Sequence, residues 1–347
     1  MSHADERFSL VTDWVTRELR LSPRLIEPAS SDASFRRYFR VFHPGGTHIV
    51  MDAPPGREDV RPYLNITVML ETTGVHVPRV YEWDAERGLL LLEDLGTRPY
   101  LPALESGADA DTLYRDALQS LADIQVRGRE SAFQLPAYDR EVLVREMALM
   151  PEWFCDRHLH LDLTRGQGEM LTAAFEFLVA EALAQPQVFV HRDYHSRNLM
   201  ITKERNPGII DFQDALRGPV GYDLVSLLKD CYISWPRPRI EAWVRDYRLM
   251  MHTQASHSAG INDAQMLRWF DVIGIQRHLK VLGIFARLWY RDGKSGYLKD
   301  LPLTLRYVVE ACASFPQLLA LREFLQHFVV PALPLANARE LQPTVSA

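Results

Sequence analysis

His191-Arg192-Asp193-Tyr194-His195-Ser196-Arg197-Asn198, followed thirteen positions after Asn198 by Asp211 at the end of Gly208-Ile209-Ile210-Asp211, is the stretch on which the reading of this chain turns. Val188-Phe189-Val190 reads as a short apolar strand entering the loop, and Leu199-Met200-Ile201 as one leaving it. Asn206-Pro207-Gly208 reads as a turn into the strand that closes at Asp211. Each piece alone is common: an acid capping a turn, an acid ending a strand. Together, in order and framed by strands, they give an acid and an amide five apart plus a second acid, the group set that phosphoryl transfer uses. That chemistry asks for little covalent participation from the protein. It needs a hydroxyl held in line and charge neutralised on phosphate oxygens. Asp193 can orient the hydroxyl and take its proton. Asn198 and Asp211 offer hard oxygen ligands to magnesium, which keeps several waters and needs no dedicated cage.

The segment from Val188 to Asp230 resembles the core of the aminoglycoside phosphotransferase and choline kinase superfamily, small-molecule kinases that share the two-lobed protein-kinase-like fold. A closer resemblance covers nearly the whole chain, from about Phe8 to about Phe328. Ser31-Asp32-Ala33-Ser34-Phe35-Arg36-Arg37-Tyr38-Phe39-Arg40, Val50-Met51-Asp52-Ala53-Pro54-Pro55, Leu92-Glu93-Asp94-Leu95-Gly96 and Asp211-Phe212-Gln213-Asp214-Ala215 are similar to the anomeric sugar kinases of bacterial cell-wall recycling. That group phosphorylates the C1 hydroxyl of N-acetylmuramate and N-acetylglucosamine. The resemblance implies an α+β fold with a small nucleotide-binding lobe over residues 1–95, carrying an antiparallel sheet, and a large, mostly helical catalytic lobe over 96–347. It also implies ATP and Mg2+ as cofactors, a small-molecule sugar as substrate, and a place in the cytoplasm. A kinase of another small hydroxyl compound, such as an aminoglycoside or choline, and a nucleotide-binding pseudokinase stay open as alternatives.

Composition sets bounds that agree. At 347 residues the chain exceeds what one core usually fills, so two lobes are expected. A net charge of −6, from 45 acids against 39 bases, gives no reason to expect nucleic acid as a partner. Cys155, Cys231 and Cys312 are widely spaced and odd in number, the pattern of reduced core thiols. Met1 to Arg20 carries Asp5, Glu6, Asp13 and Glu18, which argues against a secretion signal. No stretch reads as long and apolar enough for a bilayer span, so no membrane is expected. Nothing in the sequence sets the oligomeric state; a monomer is the default.

The first third reads as a kinase small lobe. Leu10, Val11, Trp14, Val15 and Leu19 have amphipathic-helix spacing. Phe35 to Phe42 and Thr47 to Asp52 flank the turn cluster His43-Pro44-Gly45-Gly46, a hairpin; a helix from Glu58 to Thr73 and two more strands, Val80 to Trp83 and Leu89 to Leu92, follow. Glu93 and Leu95 then mark the crossover whose backbone can pair with the adenine edge. Two usual parts are missing. A protein kinase covers the phosphates with a glycine-rich turn and anchors them with a lysine on the third strand. Ser31 to Arg40 holds no glycine, and Met51 or Asp52 stands where the lysine belongs. Ser31 and Ser34 are therefore the candidates to meet the phosphates, with Arg36 or Arg37 neutralising them.

Support and substrate residues follow with less to fix them. His191 belongs to the catalytic loop, and Tyr222-Asp223 matches the superfamily position that braces it, so Asp223 is expected as a buried carboxylate bonded to loop amides. Gln213, Asp214 and Arg217, just after the metal acid, together with Glu146 and Trp153, are candidates for the acceptor pocket. The lactyl carboxylate of N-acetylmuramate calls for a cation, for which Arg217 is the nominee. His158, His160 and Asp162 read as a short alternation of solvent-facing polar side chains near a helix end rather than a metal cluster.

Overall fold

A computed structural model describes residues 3–31, 35–254 and 260–341, with side chains from residue 6 and, at the end of the first strand, to residue 29. The chain divides into two compact units, Met1–Tyr100 with Asn198–Asp214, and Leu101–Arg197 with Ala215–Ala347.

In the first unit, α1 (His3–Asp13) runs into a π-helical turn and is followed by β1 (Leu25–Ser31), β2 (Arg37–His43) and β3 (Gly46–Asp52). Helix α2 (Arg61–Thr73), β4 (Val80–Asp84) and β5 (Leu89–Glu93) complete it. The five strands form one antiparallel sheet in the order β1-β2-β3-β5-β4. Phe39 and Val41, two apart on β2, point to one face with Val50, Leu89 and Leu91, and pack against Val11, Trp14 and Val15 of the N-terminal helix. The period of two on the strands and of three to four on the helix is why these residues meet. Gly46, at φ 127°, closes the β2–β3 turn in a conformation that side chains rarely adopt. The sequence pattern did not disclose β1, whose Pro28 and two serines break the alternation of a strand.

Four short strands frame the segment from His191 to Asp211: β6 (Gln187–Val190), β7 (Leu199–Met200), β8 (Gly208–Ile209) and β9 (Leu216–Pro219). β7 and β8 pair within the first unit, β6 and β9 within the second. The rest of the second unit is helical: α3 (Tyr100–Glu105), α4 (Ala110–Arg127), α5 (Arg140–Met147), α6 (Arg165–Leu183), α7 (Gly221–Leu228), α8 (Arg237–Gln254), α9 (Asp263–Asp292), α10 (Leu301–Cys312), α11 (Leu319–Phe324) and α12 (Val330–Leu341). α9 is its axis. Thirty residues at 1.5 Å each make it about 45 Å long. The Asn262 side chain accepts from the amide of Gln265 at its start, and Gly293 ends it in the left-handed region. Gly283 is required by packing: a Cβ there would lie 2.3 Å from the carbonyl carbon of Leu149. All three cysteines are buried and unpaired.

One expectation fails. Pro316–Leu341 forms a helical run that does have the length and apolar composition of a bilayer span. The sequence hides it because Arg322, Glu323 and two prolines interrupt the apolar residues, and Leu321, Phe324, Leu325, Val329 and Leu333 are buried in the unit.

Candidate active site

The loop after β6 is pinned at both ends by acids that follow β9. Asp223, fully buried on α7, accepts the amides of His191 at 2.6 Å and Arg192 at 2.9 Å, one on each oxygen. Asp230, just past the same helix, accepts both the amide and the hydroxyl of Ser196. Between these anchors the amide of Asp193 donates to Nδ1 of His191 at 3.3 Å, and the Tyr194 hydroxyl donates to the carbonyl of Ala117. Arg192 stands at φ 82°, a conformation that costs a non-glycine residue about 1–2 kcal/mol. The paired amides and its own side chain hold it there. Burial pushes Asp223 up to about 7, against the pull of its two amide bonds.

The Arg192 guanidinium reaches Glu146 of α5, which is buried and also takes the Tyr138 hydroxyl and the Lys280 ammonium, the last at 3.0 Å. Lys280, on α9, donates to the Tyr222 hydroxyl as well. This places two cations and one carboxylate beneath the loop, and Arg277, one turn earlier on α9, adds a third cation, bonded to Ser226 at 2.8 Å. Asp193, half-buried, feels them all. Burial raises its carboxyl, but Lys280, His195, Arg192 and Arg277 together outweigh that and hold it below the ordinary carboxylate range. The side chain is thus kept as an anion. His195 is driven the other way by burial, toward the neutral ring.

In the first unit, Asn198 and Asp211 sit where β7 and β8 pair. The Asn198 carbonyl accepts the amide of Ile210 at 3.1 Å, and its side-chain amide donates to Asp211 Oδ2 at 3.3 Å. Asp211 lies at φ 65°, so its carboxylate turns out of the strand direction, while Phe212 packs on Tyr63 of α2 with ring centroids 4.7 Å apart. Asp211 Oδ1 accepts Nε2 of Gln213 at 2.8 Å and lies 3.7 Å from the Arg36 guanidinium. The Asp211 carboxylate and the Asn198 side-chain amide are neighbours, with the amide nitrogen on the carboxylate. Turned about its terminal bond, the amide would present its oxygen, and one carboxylate with one amide oxygen is a hard donor set of the kind magnesium takes when phosphates and water fill its remaining positions. Among the described residues no three His, Cys, Asp or Glu side chains gather into a fuller cage.

The other nominated residues are spread over both units. Arg36 is next to Asp211; Arg37 is not, since its guanidinium and that of Arg7 both clasp the buried Asp52. The missing lysine position therefore holds an acid whose two cations come from neighbouring strand and helix. Ser31 pairs through its backbone with Arg37, and Ser34 lies outside the described residues. Glu93 accepts from the amide of Arg79 and lies 3.2 Å from His76 Nε2. The amide and carbonyl of Leu95 have no partner among the described residues, and its side chain packs on Gly208. Of the acceptor candidates, Gln213 reaches Asp214, which is exposed; Arg217, on β9, stacks on Phe133 with its guanidinium carbon 4.9 Å from the ring centroid; Trp153 is covered by Arg157; and Glu146 is enclosed as described. Sequence reasoning missed Asp230, Lys280 and Arg277. Asp230 repeats Asp223 after seven residues, two helical turns along an apolar segment, and Gln276-Arg277-His278-Leu279-Lys280 is a polar run inside an otherwise apolar helix; both were signals.

Known proteins resemble this chain at two levels. Residues 25–257 match the model of a phosphotransferase enzyme family. An N-acetylmuramate/N-acetylglucosamine kinase of Pseudomonas aeruginosa is 46% identical over 334 residues, covering 92% of this chain and 96% of that protein. One of the same name from Neisseria meningitidis is 41% identical, covering 87% of this chain and 90% of its own. Among solved structures, a choline kinase from Streptococcus pneumoniae superposes with a TM-score of 0.62 at 13% identity, over 89% of this chain and all of that one. An ADP-bound aminoglycoside phosphotransferase does so at 0.56 and 16%, over 87% and 98%. At such identities the structural likeness speaks for the fold.

Proposed function

The chain belongs to the phosphotransferase enzyme family, and from that premise we propose that it is an ATP-dependent kinase acting on the C1 hydroxyl of N-acetylmuramate and N-acetylglucosamine in the cytoplasmic recycling of cell-wall sugars. The observation that carries the reading is the 46% identity over 92% of the chain to a kinase of those two sugars.

Asp193 receives the acceptor. Its carboxylate, kept anionic by the cations beneath the loop, accepts a hydrogen bond from the sugar hydroxyl and so aims the oxygen. As the new oxygen–phosphorus bond forms, the bond from the γ-phosphorus to the bridging oxygen breaks, ADP departs, and the hydroxyl proton passes to Asp193. A hemiacetal hydroxyl is more acidic than an ordinary alcohol, which suits a carboxylate base. Asn198 and Asp211 would hold magnesium, which would supply positive charge to neutralise the phosphate oxygens. Arg36 adds a fixed positive charge beside Asp211, in the role a strand lysine fills in other kinases. The free backbone groups of Leu95 suit the adenine edge, and the two serines, Ser31 and Ser34, remain candidates for the phosphates. The residues nominated for the nucleotide and the metal lie in the first unit, and Asp193 lies in the second.

The test is incubation of the purified protein with ATP, magnesium and a panel of amino sugars, choline and aminoglycosides, with the product read by phosphorus NMR. An acid-labile sugar 1-phosphate from the two N-acetylated sugars supports the reading. A stable alkyl phosphate from another acceptor, or nucleotide binding with no transfer at all, overturns it.

A further inference from the structure

Most half-buried arginines of this protein are claimed by a carboxylate. Arg7 and Arg37 share Asp52, Arg40 forks onto Asp94, and Arg192 meets Glu146. Arg197 is an exception within the catalytic loop. Its guanidinium carbon lies 3.5 Å above the ring of Tyr232 and 5.8 Å from that of Tyr297, and among the described residues no oxygen accepts from it. The aromatic floor is continuous: Tyr232 neighbours Phe285, which neighbours Tyr297, with centroids 6.1 Å and 5.2 Å apart. A guanidinium laid flat on a ring spends its face and leaves its edge donors free for a planar anion. Stacking also fixes the fork, so little side-chain freedom remains to be lost on binding.

Two polar atoms nearby also lack partners. Oδ2 of Asp300 is buried with no hydrogen-bond donor among the described residues, and Arg197 is one of the charges acting on that carboxyl. Nδ1 of His195, whose ring stands edge-on to Tyr232 at 5.5 Å, is likewise unmatched. Buried polar atoms are seldom left so without a missing water or ligand, and sugar hydroxyls are suitable partners. The surroundings are those of an acceptor site: an aromatic floor, hydrogen-bonding groups at its side, and one cation presenting its edge, four residues after the base and one before a metal ligand.

We infer that Arg197, stacked on Tyr232, is the residue that receives the lactyl carboxylate of N-acetylmuramate and so sets the preference between the two sugars. This rests on the proposed function, since N-acetylglucosamine differs there by having no carboxylate. It assigns to Arg197 what the sequence had suggested for Arg217, whose guanidinium stacks on the exposed Phe133 of a different segment.

The experiment measures kcat/KM for N-acetylmuramate, its carboxyl methyl ester and N-acetylglucosamine in the wild type, Arg197→Met, Arg197→Lys and Arg217→Met. The ratio of N-acetylmuramate to N-acetylglucosamine should fall about 10–100-fold in Arg197→Met, mostly through KM, the effect of removing a charge-assisted pair. Arg197→Lys should keep part of it. The wild type should discriminate against the methyl ester by a similar factor and Arg197→Met should not, an arm that neutralises the ligand instead of the protein. A ratio unchanged within twofold in Arg197→Met, with both sugars slowed alike through kcat, overturns the inference and assigns Arg197 to the reacting groups. Collapse of the ratio in Arg217→Met instead also overturns it. Both results leave sugar phosphorylation standing, whereas a wild type that phosphorylates neither sugar refutes the proposed function and this inference with it.

Discussion

Asp223→Asn changes one atom and probes whether the catalytic loop is held from behind. In the wild type each carboxylate oxygen accepts one backbone amide, from Arg192 and from His191. An asparagine has one acceptor oxygen, so whichever way it turns its NH2 group faces a buried N–H. The loss is a charge-assisted hydrogen bond plus a stranded donor, about 2–4 kcal/mol. Part of this is offset because burial already raises Asp223 to about 7, so its charge is not fully present at neutral pH. At about 2–4 °C per kcal/mol for a domain of this size, the undiminished loss would lower the melting temperature by about 4–16 °C, and the offset places the expected fall toward the lower end of that range. The strained φ of Arg192 loses its clamp, and Asp193 follows it in the chain. A displacement approaching 1 Å costs roughly 100-fold in rate, so kcat should drop about 10–100-fold while the Michaelis constant for ATP, which the proposed function assigns to the other unit, changes little. Thermal denaturation and steady-state assays on one preparation decide. A variant that melts within 1 °C of wild type and turns over within a factor of two would refute the bracing role.

Three other outcomes follow from the same geometry. Arg36→Ala should raise the ATP Michaelis constant about tenfold with little change in melting, whereas Arg37→Ala should lower the melting temperature, because it strips one of two cations from the buried Asp52 at about 1–3 kcal/mol; an unchanged ATP constant in Arg36→Ala contradicts the first half. Acid should destabilise the second unit through His278, which burial lowers to about 3 and which bonds the Lys229 carbonyl at 2.9 Å. The unfolded ring binds a proton below about pH 6.5 while the native one does not, so stability falls as pH drops through that window, by up to about 1.4 kcal/mol per unit. Asp223 works in the opposite direction between its ordinary value and about 7, so the readout is the difference between proteins: the loss of melting temperature from pH 7.5 to 5.5 should be smaller in His278→Gln than in wild type, and equal losses would contradict the assignment.

Much of the small unit was legible. Strand alternation and the glycine-bearing turn locate β2 and β3, and the four consecutive leucines of β5 announce a strand covered on both faces. Their boundaries fell within two residues, while β1 escaped because an edge strand with proline and serines has no alternation to read. The candidate loop could be picked out because the residues proposed for its chemistry lie within about twenty positions of one another. What surrounds it was not. Glu146, Lys280 and Arg277 come from α5 and α9, more than a hundred residues apart, and a sequence does not say that a lysine inside an apolar helix will end beneath a loop from elsewhere. Glu146 was picked out for the acceptor pocket, whereas its neighbours in the structure are Arg192, Lys280 and Tyr138. The membrane-length run near the C-terminus shows the converse, a local pattern too interrupted to notice.

The account stands on Asp193 as the group that aims the acceptor hydroxyl and takes its proton. The direct measurement is turnover of Asp193→Asn with ATP, magnesium and N-acetylmuramate, the fold checked by circular dichroism and the product identified by phosphorus NMR. A fall in kcat of about 100–10,000-fold, with nucleotide still bound, is the predicted result. Formation of the sugar 1-phosphate at a rate within tenfold of wild type would contradict it.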